Sequence, residues 1–270
     1  MEIAAGFAVF ATIFFLIFTP PGRHSLIYRP TFKDAQGHGD DLIAAWRNET
    51  GEFLGYARKG DVRHDSRRTI LVFHGNAGEA RDWKWYARVA APEHRVLLAE
   101  YPGYGARKGK SSESSLCTAG LDAYDRAAAM GGPVMLVGES LGSAVASCVA
   151  SQRSPDRIIF VSPYTSLSDV VDAAIPLLSL GVLMDDRYNS ENWLRDVKAP
   201  LLVAHGDRDR IVPIRLGRKL FEGYRGKSKV FLELKDQGHD GLREALSTGE
   251  SGSIFLRFLN GDGFSISENN

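Results

Sequence analysis

Six short apolar segments recur through the middle and C-terminal parts of the chain, and most are separated by a stretch long enough for a helix. Most are continuously apolar and do not alternate with polar residues, which is typical of strands that helices cover on both faces. Shorter apolar segments precede them and predict an antiparallel meander. The pattern predicts an α/β fold with a mostly parallel central sheet of about eight strands and helices on both faces. The six segments are residues 69–73, 95–99, 133–137, 157–161, 200–204 and 229–234, and the shorter ones are residues 26–28, 42–46 and 53–57.

The composition limits the classes of protein to which this fold can belong. The chain has 270 residues, of which 44% are hydrophobic, enough for one large core. Its 33 Lys and Arg residues balance 33 Asp and Glu residues, so no net positive charge favours nucleic acid as a partner. Cys117 and Cys148 are too few for a disulfide scaffold, and we expect both to pack as small apolar side chains, which favours a reducing compartment.

The N-terminus differs from the rest of the chain because residues 3–22 carry no charged side chain. As a helix, this stretch would reach roughly 30 Å, the thickness of the hydrocarbon core of a bilayer. We therefore predict an uncleaved signal-anchor over residues 1–22, with a cleaved signal peptide and a soluble packing helix as alternatives. Arg23, Arg29 and Lys33 follow it, so the positive-inside rule predicts a single-pass membrane protein whose body faces the cytoplasm. That body is residues 23–260, and residues 261–270 form a polar, flexible tail.

A serine between two glycines follows the third apolar segment. Gly138, Ser140 and Gly142 match Gly-x-Ser-x-Gly, and a helix-forming stretch begins directly after them. Between a strand and a helix this pattern is typical of a nucleophile elbow, in which the serine occupies a strained turn and the glycines let the two elements pass closely. The alternative is an ordinary glycine-rich turn.

A serine hydroxyl is a weak nucleophile without a base, and the base needs a carboxylate to orient it. The last two apolar segments end at residues that can supply both groups. Asp209 follows the fifth segment and His239 follows the sixth, which gives the chain order Ser140, Asp209, His239. Asp207 is the alternative acid, and we expect it to cap the turn instead.

The loop after the first segment, residues 74–78, is the expected source of an oxyanion donor. Attack by Ser140 would create a negative oxygen that needs preorganised backbone N–H groups. We expect Leu141, which follows the nucleophile, to supply one N–H and Asn76 the other, with Ala77 as the alternative to Asn76. His74 either shapes this loop or simply caps the strand end.

These segments together resemble the serine α/β-hydrolase superfamily, in particular its membrane-anchored BEM46 and ABHD13/ABHD17 type. The resemblance covers residues 26–260 and implies an α/β-hydrolase fold with esterase or thioesterase activity on acyl groups, without a cofactor or a metal. The implied substrate is a small-molecule or lipid acyl ester or thioester. One departure is Glu100, where many relatives carry aspartate. The resemblance rests on residues 74–78, 101–105, 138–142, 162–167, 205–209 and 238–239.

A long insertion, residues 164–199, separates the fourth and fifth segments. Residues 170–180 within it are strongly apolar around Pro176. They predict either a kinked helix in the core or a small cap whose inner face lines a groove for an acyl chain. Two other functions use the same sequence features: a serine peptidase or amidase of the same fold, and a non-catalytic, membrane-tethered binding protein.

Overall fold

The computed structural model describes residues 19–31, 40–60, 68–175 and 179–261. Most of the predicted signal-anchor, residues 1–22, and nearly all of the predicted tail, residues 261–270, therefore lie outside the described residues. Thr19 caps the first described helix by accepting a hydrogen bond from the N–H of Gly22 at 3.2 Å, so the predicted boundary at residue 22 falls inside that helix. Within the described ranges, no helix combines the length and the apolar character needed to span a bilayer.

Eight strands form one sheet, and this confirms the predicted architecture. Their spatial order is β10, β9, β8, β7, β4, β6, β3, β2; β3 pairs antiparallel with both of its neighbours, and the other pairs are parallel. A separate two-stranded pairing joins β1 to β5. The strands are β1 (Arg29–Pro30), β2 (Ile43–Arg47), β3 (Phe53–Arg58), β4 (Thr69–Phe73), β5 (Ala77–Gly78), β6 (Arg95–Ala99), β7 (Val134–Glu139), β8 (Arg157–Val161), β9 (Leu201–Gly206) and β10 (Lys229–Leu234).

Helices cover both faces of the sheet. One hydrophobic cluster contains buried side chains of α3, α4 and α7, and a second cluster contains those of α2 and α9. The helices are α1 (Pro20–Ile27), α2 (Trp85–Val89), α3 (Glu113–Ala129), α4 (Leu141–Gln152), α5 (Leu167–Ala174), α6 (Ser190–Trp193), α7 (Ile214–Gly223), α8 (Leu242–Ala245) and α9 (Gly249–Asn260), with 3₁₀ helices at Ala80–Trp83 and Leu180–Leu183.

The prediction of a strand over residues 26–28 is wrong, because this segment ends α1. Thr19 as the N-cap and proline at the first helical position favour a helix start, since the proline ring already holds a helical φ. Apolar residues at the end of this helix, Ile27 and Tyr28, pack into the core from it. The expected meander is accordingly reduced to the antiparallel neighbours β2, β3 and β6.

The prediction that Cys117 and Cys148 pack as separate apolar side chains is also wrong. They form a disulfide, and it joins α3 to α4. These two helices pack side by side on one face of the sheet, which brings together residues separated by 31 positions in sequence. Neither hydropathy nor spacing could indicate this neighbourhood, because it depends on the way two helices pack.

The strand register brings several chain segments to one edge of the sheet. Phe73, the last residue of β4, pairs with Ala99 on one side and with Gly138 on the other. The residues that follow these strands therefore meet at the carboxyl edge, where ligands bind in open α/β sheets. The loops after β9 and β10 leave the sheet at the same edge.

Candidate active site

Ser140 occupies a sharp turn between β7 and α4. Its backbone has φ 51° and ψ −116°, a conformation that residues with a side chain rarely adopt. The turn requires two close approaches: a Cβ on Gly138 would collide with the backbone of Gly142, and a Cβ on Gly142 would collide with the carbonyl of Phe73. The sequence pattern thus has a steric basis, because any larger residue would push the helix away from the strands.

His239 bridges Ser140 and Asp209. Its Nε2 lies 3.1 Å from the Oγ of Ser140, and its Nδ1 lies 2.7 Å from the Oδ2 of Asp209. Three side chains that are far apart in sequence therefore form one hydrogen-bonded chain at the carboxyl edge. When Nδ1 carries the hydrogen and donates it to Asp209, Nε2 is free to accept the hydroxyl proton.

Several hydrogen-bond donors hold the carboxylate of Asp209 in place. Its Oδ1 accepts hydrogen bonds from the N–H groups of Ile211 and Val212, at 2.9 and 2.8 Å, and its Oδ2 accepts one from the hydroxyl of Ser162 at 3.0 Å. Burial alone would raise the pKa of this carboxyl, but hydrogen bonds from His205 and His239 hold the pKa well below its ordinary value. Asp209 is therefore a fixed negative charge beside the imidazole.

Asp207, the alternative acid, lies two residues earlier in the turn after β9. Its backbone N–H donates to the carbonyl of Leu234 at 3.1 Å and so ties the turn to β10. The Nδ1 of His239 makes its hydrogen bond to Asp209 and not to Asp207. The geometry thus favours Asp209 for orienting the imidazole.

The loop after β4 lies directly against the serine. A Cβ added to Gly75 would come within 3.7 Å of the Cβ of Ser140, so this backbone passes beside the nucleophile. The Oδ1 of Asn76 accepts hydrogen bonds from the hydroxyl of Tyr104 at 2.8 Å and from the N–H of Arg29 at 3.0 Å. Both contacts involve the side-chain oxygen of Asn76. The oxyanion donor expected from this residue is its backbone N–H.

Leu141 begins α4, and its N–H belongs to the first turn, where a helix offers no carbonyl partner. Both Asn76 and Leu141 line the same cavity as Ser140 and His239. The two residues expected to supply the donors therefore border the same space as Ser140.

A charged cluster next to Ser140 was missed by the sequence analysis. Glu139 accepts hydrogen bonds from the indole N–H of Trp83 at 2.5 Å and from the hydroxyl of Tyr86 at 2.7 Å, and Arg243 donates to it at 3.0 Å. Burial would lower the pKa of Arg243, but the Glu139 carboxylate raises it above its ordinary value. Arg243 lies in α8, so this ion pair ties the segment that follows His239 to the elbow. Glu139 occupies a variable position of the motif, and nothing in the sequence indicates partners so distant.

A cavity of about 920 Å³ opens above these side chains. The inner face of α5 and the following 3₁₀ helix form one of its walls. None of the residues of α5 is fully buried; its apolar side chains pack against the edge of the core and also border the cavity. The arrangement favours the cap interpretation of the insertion, although Pro176 lies outside the described residues. The apolar lining from this region comprises Leu167, Val170, Val171, Ala174, Leu180 and Met184.

Comparisons with known proteins relate this chain to esterases and lipases. The sequence profile of the alpha/beta hydrolase family matches residues 70–188. An uncharacterized protein of Mycobacterium tuberculosis is 35% identical over 179 residues, which make up 63% of this chain and 62% of that protein. Lysophosphatidylserine lipase ABHD12 of Mus musculus is 27% identical over 219 residues, 71% of this chain and 53% of that protein. The chain thus spans between about half and somewhat under two thirds of the length of these curated relatives. Membership of the BEM46 and ABHD13/ABHD17 subtype stays a prediction.

Solved structures share the architecture at low sequence identity. An esterase of Pyrococcus furiosus superimposes with a TM-score of 0.64 at 16% identity, covering 86% of this chain and 98% of that one. A monoacylglycerol lipase of Paleococcus ferrophilus superimposes with a TM-score of 0.54 at 21% identity, covering 72% of this chain and 93% of that one. At such identities the likeness concerns the fold, and the chemistry must be argued from the site itself.

Proposed function

Because the chain belongs to the α/β-hydrolase superfamily and has its fold, we propose that it is a serine hydrolase that cleaves carboxylic ester or thioester bonds of acyl substrates. The observation that carries this proposal is the hydrogen-bonded chain from Ser140 through His239 to Asp209, which lies at one end of an apolar cavity. The similar proteins include lipases and esterases, and this supports the same chemistry.

The first half of the reaction forms an acyl-enzyme. The Oγ of Ser140 attacks the carbonyl carbon while its proton passes to the Nε2 of His239, and the N–H groups of Asn76 and Leu141 stabilise the oxyanion that forms. His239 then gives this proton to the departing alcohol or thiol, so the leaving group departs neutral and the acyl group stays on Ser140.

The second half returns the enzyme to its starting state. Water takes the place of the leaving group, His239 accepts its proton, and the resulting hydroxide attacks the acyl carbon. When the second tetrahedral intermediate collapses, the proton returns to the Oγ of Ser140 and the carboxylic acid leaves. Throughout both halves, Asp209 orients the imidazole and stabilises its positive charge without taking a proton itself.

The first prediction concerns the nucleophile. Ser140→Ala removes the attacking oxygen, and we expect kcat to fall by roughly 10⁴ or more. The measurement uses p-nitrophenyl esters, with circular dichroism to verify the fold and a fluorophosphonate probe to label the serine. Wild-type protein should be labelled and the variant should not. A variant with near-wild-type turnover would refute the assignment of Ser140.

The same assay separates the alternative activities. Matched ester, thioester and amide substrates with one acyl group test whether the enzyme acts as an esterase, a thioesterase or an amidase. We expect the ester and the thioester to be cleaved and the amide to be the poorest substrate, since an amine leaves less readily. A preference for the amide would favour a peptidase or amidase, and wild-type protein that neither cleaves nor reacts with the probe would favour a binding protein.

A further inference from the structure

A buried histidine and a buried glutamate lie directly behind the oxyanion loop. His74 follows β4 and Glu100 follows β6, and the two strands end in register. The side chain of His74 is 1% exposed and that of Glu100 is 0% exposed, and the Nε2 of His74 lies 2.8 Å from the Oε1 of Glu100. The mechanism proposed above assigns no role to either residue.

The second ring nitrogen of His74 binds the loop itself. Its Nδ1 lies 2.8 Å from the carbonyl oxygen of Gly75. A carbonyl can only accept, so this nitrogen carries a hydrogen and donates it. The imidazole is thus held at both ends, by the carboxylate on one side and by a main-chain carbonyl on the other.

The carbonyl of Gly75 belongs to the peptide unit that also contains the N–H of Asn76. A trans peptide is planar, so its C=O and its N–H point in opposite directions. The hydrogen bond from His74 pulls this carbonyl towards the buried ring and thereby turns the N–H of Asn76 away from it. Asn76 also lines the cavity that contains Ser140, so an N–H turned away from the buried ring suits an oxyanion donor at this position.

Glu100 also fixes the far end of the loop. Its Oε2 accepts a hydrogen bond from the N–H of Ala80 at 3.0 Å, and its Oε1 accepts a longer one from the N–H of Tyr101 at 3.2 Å. One carboxylate therefore holds the start of the loop through His74 and its end through Ala80. The carboxylate of Glu79 and the guanidinium of Arg107 are the other charged groups close to it.

Aromatic side chains keep the imidazole in this orientation. The ring of Tyr101 lies 4.1 Å from that of His74 between centroids, and the rings of Trp83 and Tyr104 lie at 5.3 and 5.4 Å. The hydroxyl of Tyr101 donates to the carbonyl of His74 at 2.8 Å. The ring cannot turn without displacing these neighbours, so its two hydrogen bonds hold fixed directions.

From these contacts we infer that His74, anchored by Glu100, is a positioning residue that orients the Gly75–Asn76 peptide as an oxyanion donor. This inference rests on the proposed function, because an oxyanion donor matters only if Ser140 forms a tetrahedral intermediate. His74 thus does more than cap the end of β4. The buried side chain of Glu100 also has a role, that of anchoring the imidazole.

Two substitutions at His74 separate this role from a merely structural one. The amide nitrogen of asparagine can occupy the position of Nδ1, so His74→Asn can keep the hydrogen bond to Gly75 while losing Glu100. The amide nitrogen of glutamine reaches the position of Nε2, so His74→Gln can keep Glu100 while losing Gly75. If the ring orients the peptide, kcat is higher for the Asn variant than for the Gln variant, by about tenfold, with similar KM values. If the contact between His74 and Glu100 is merely structural, the order is reversed.

The experiment measures kcat and KM for one p-nitrophenyl ester, together with thermal unfolding of each variant. His94→Gln is the control, because His94 is equally buried, binds the carbonyl of Asn260 at 3.0 Å and lies just before β6, at the opposite edge of the sheet. It should leave kcat unchanged, because His94 lies at the other end of β6 from Glu100. Equal kcat values for the two His74 variants, or a higher value for the Gln variant, would overturn the inference.

A second pair keeps the test decisive if both His74 variants fail to fold. Glu100→Gln can still hydrogen-bond the Nε2 of His74, whereas Glu100→Met has a similar length and cannot. We expect the Met variant to lose more kcat than the Gln variant, and equal values would count against the inference. Failure of the proposed function is separately visible, because wild-type protein would then neither hydrolyse esters nor react with the fluorophosphonate.

Discussion

The surroundings of Asp209 hold its carboxylate in one orientation. Hydrogen-bond donors converge on its carboxylate from the imidazoles of His239 and His205, the hydroxyl of Ser162 and two backbone N–H groups. The side chain is fully buried, so water contributes little to its solvation. A group with so many donors and so little solvent is held in one orientation, as the proposed mechanism requires of the residue that orients His239.

The second prediction compares the two aspartates of this turn. Asp209→Asn removes the charge and favours the wrong imidazole tautomer, so we expect kcat to fall by about 10⁴. Asp207→Asn leaves the hydrogen bond between His239 and Asp209 in place, and its kcat should stay close to that of the wild type. Ester hydrolysis by the two purified variants is the measurement. A larger loss in the Asp207 variant would transfer the acid role to that residue.

The third prediction follows from the lowered pKa of Asp209. A carboxyl whose pKa is lower in the folded than in the unfolded protein stabilises the fold above the unfolded pKa, near 4, and this stabilisation is lost as the pH falls further. Asparagine does not titrate. Urea unfolding of the wild type and of Asp209→Asn should therefore give stabilities that differ by a constant amount above about pH 5, and this difference should shift in favour of the variant below pH 4. A difference independent of pH would contradict the lowered pKa.

At the scale of residues, the candidates for the proposed chemistry could be predicted from the sequence. Residues that meet only through packing could not. Ser140, Asp209 and His239 could be selected because each follows an apolar strand and because their order is distinctive. Arg243 could not be selected, because its contact with Glu139 joins residues more than a hundred positions apart. His74 was left with two interpretations, since its partner Glu100 becomes adjacent only through the register of β4 and β6.

At the scale of elements, the central strands were predictable because burial on both faces leaves a continuous apolar run. The predicted bounds of β4, β6, β8 and β10 agree with the structure to the residue. The segment 26–28 was mistaken for a strand because three apolar residues fit the end of a helix equally well. What decided the outcome was the helix start several residues earlier, at Thr19 and Pro20.

The fourth prediction concerns the disulfide between α3 and α4. The bond closes a loop whose ends are 31 residues apart, and in the chain-entropy model such a loop stabilises the fold by about 3–4 kcal/mol. Guanidinium unfolding with and without a thiol reductant should show this loss, and Cys117→Ala/Cys148→Ala should behave like the reduced protein. Esterase activity should survive reduction under native conditions. Identical midpoints with and without reductant would argue against the bond.

At the scale of the whole molecule, the cavity joins a polar reaction site to an apolar wall. The insertion between β8 and β9 supplies that wall, and α5 is the element of it that faces the cavity most directly. The apolar lining suits the acyl part of an ester, because apolar surface that leaves water contributes to binding. Under the proposed function, the size of the space therefore limits the length of the acyl chain that a substrate can carry.

The fifth prediction tests this wall. Val170→Trp extends into the cavity and displaces part of a bound chain. Losing the burial of two or three methylenes costs about 2 kcal/mol, which corresponds to a fall of about 30-fold in kcat/KM. We expect this fall for palmitoyl esters and little change for butyryl esters. Leu256→Trp, on α9 and away from this cavity, is the matched control. Equal losses for both chain lengths in Val170→Trp would place acyl recognition elsewhere.

The predicted signal-anchor over residues 1–22 belongs to this scale as well. The described part of the chain begins at Thr19, and α1 carries Ile27 to the cavity wall. A membrane segment directly before α1 would place the reaction site close to a bilayer, where acyl substrates are concentrated. Attachment to a membrane, with the body on the cytoplasmic side, stays a prediction. Fractionation of cells that express the full chain can test it.

The backbone of Ser140 connects catalysis with stability. A residue with a side chain costs about 1–3 kcal/mol in so sparsely populated a conformation, whereas glycine adopts it freely. A chain selected only for folding would therefore carry glycine at position 140, in the turn between β7 and α4. Retention of serine there means that the native state is kept below its attainable stability, and the surrounding core of α4 and β7 compensates for the difference.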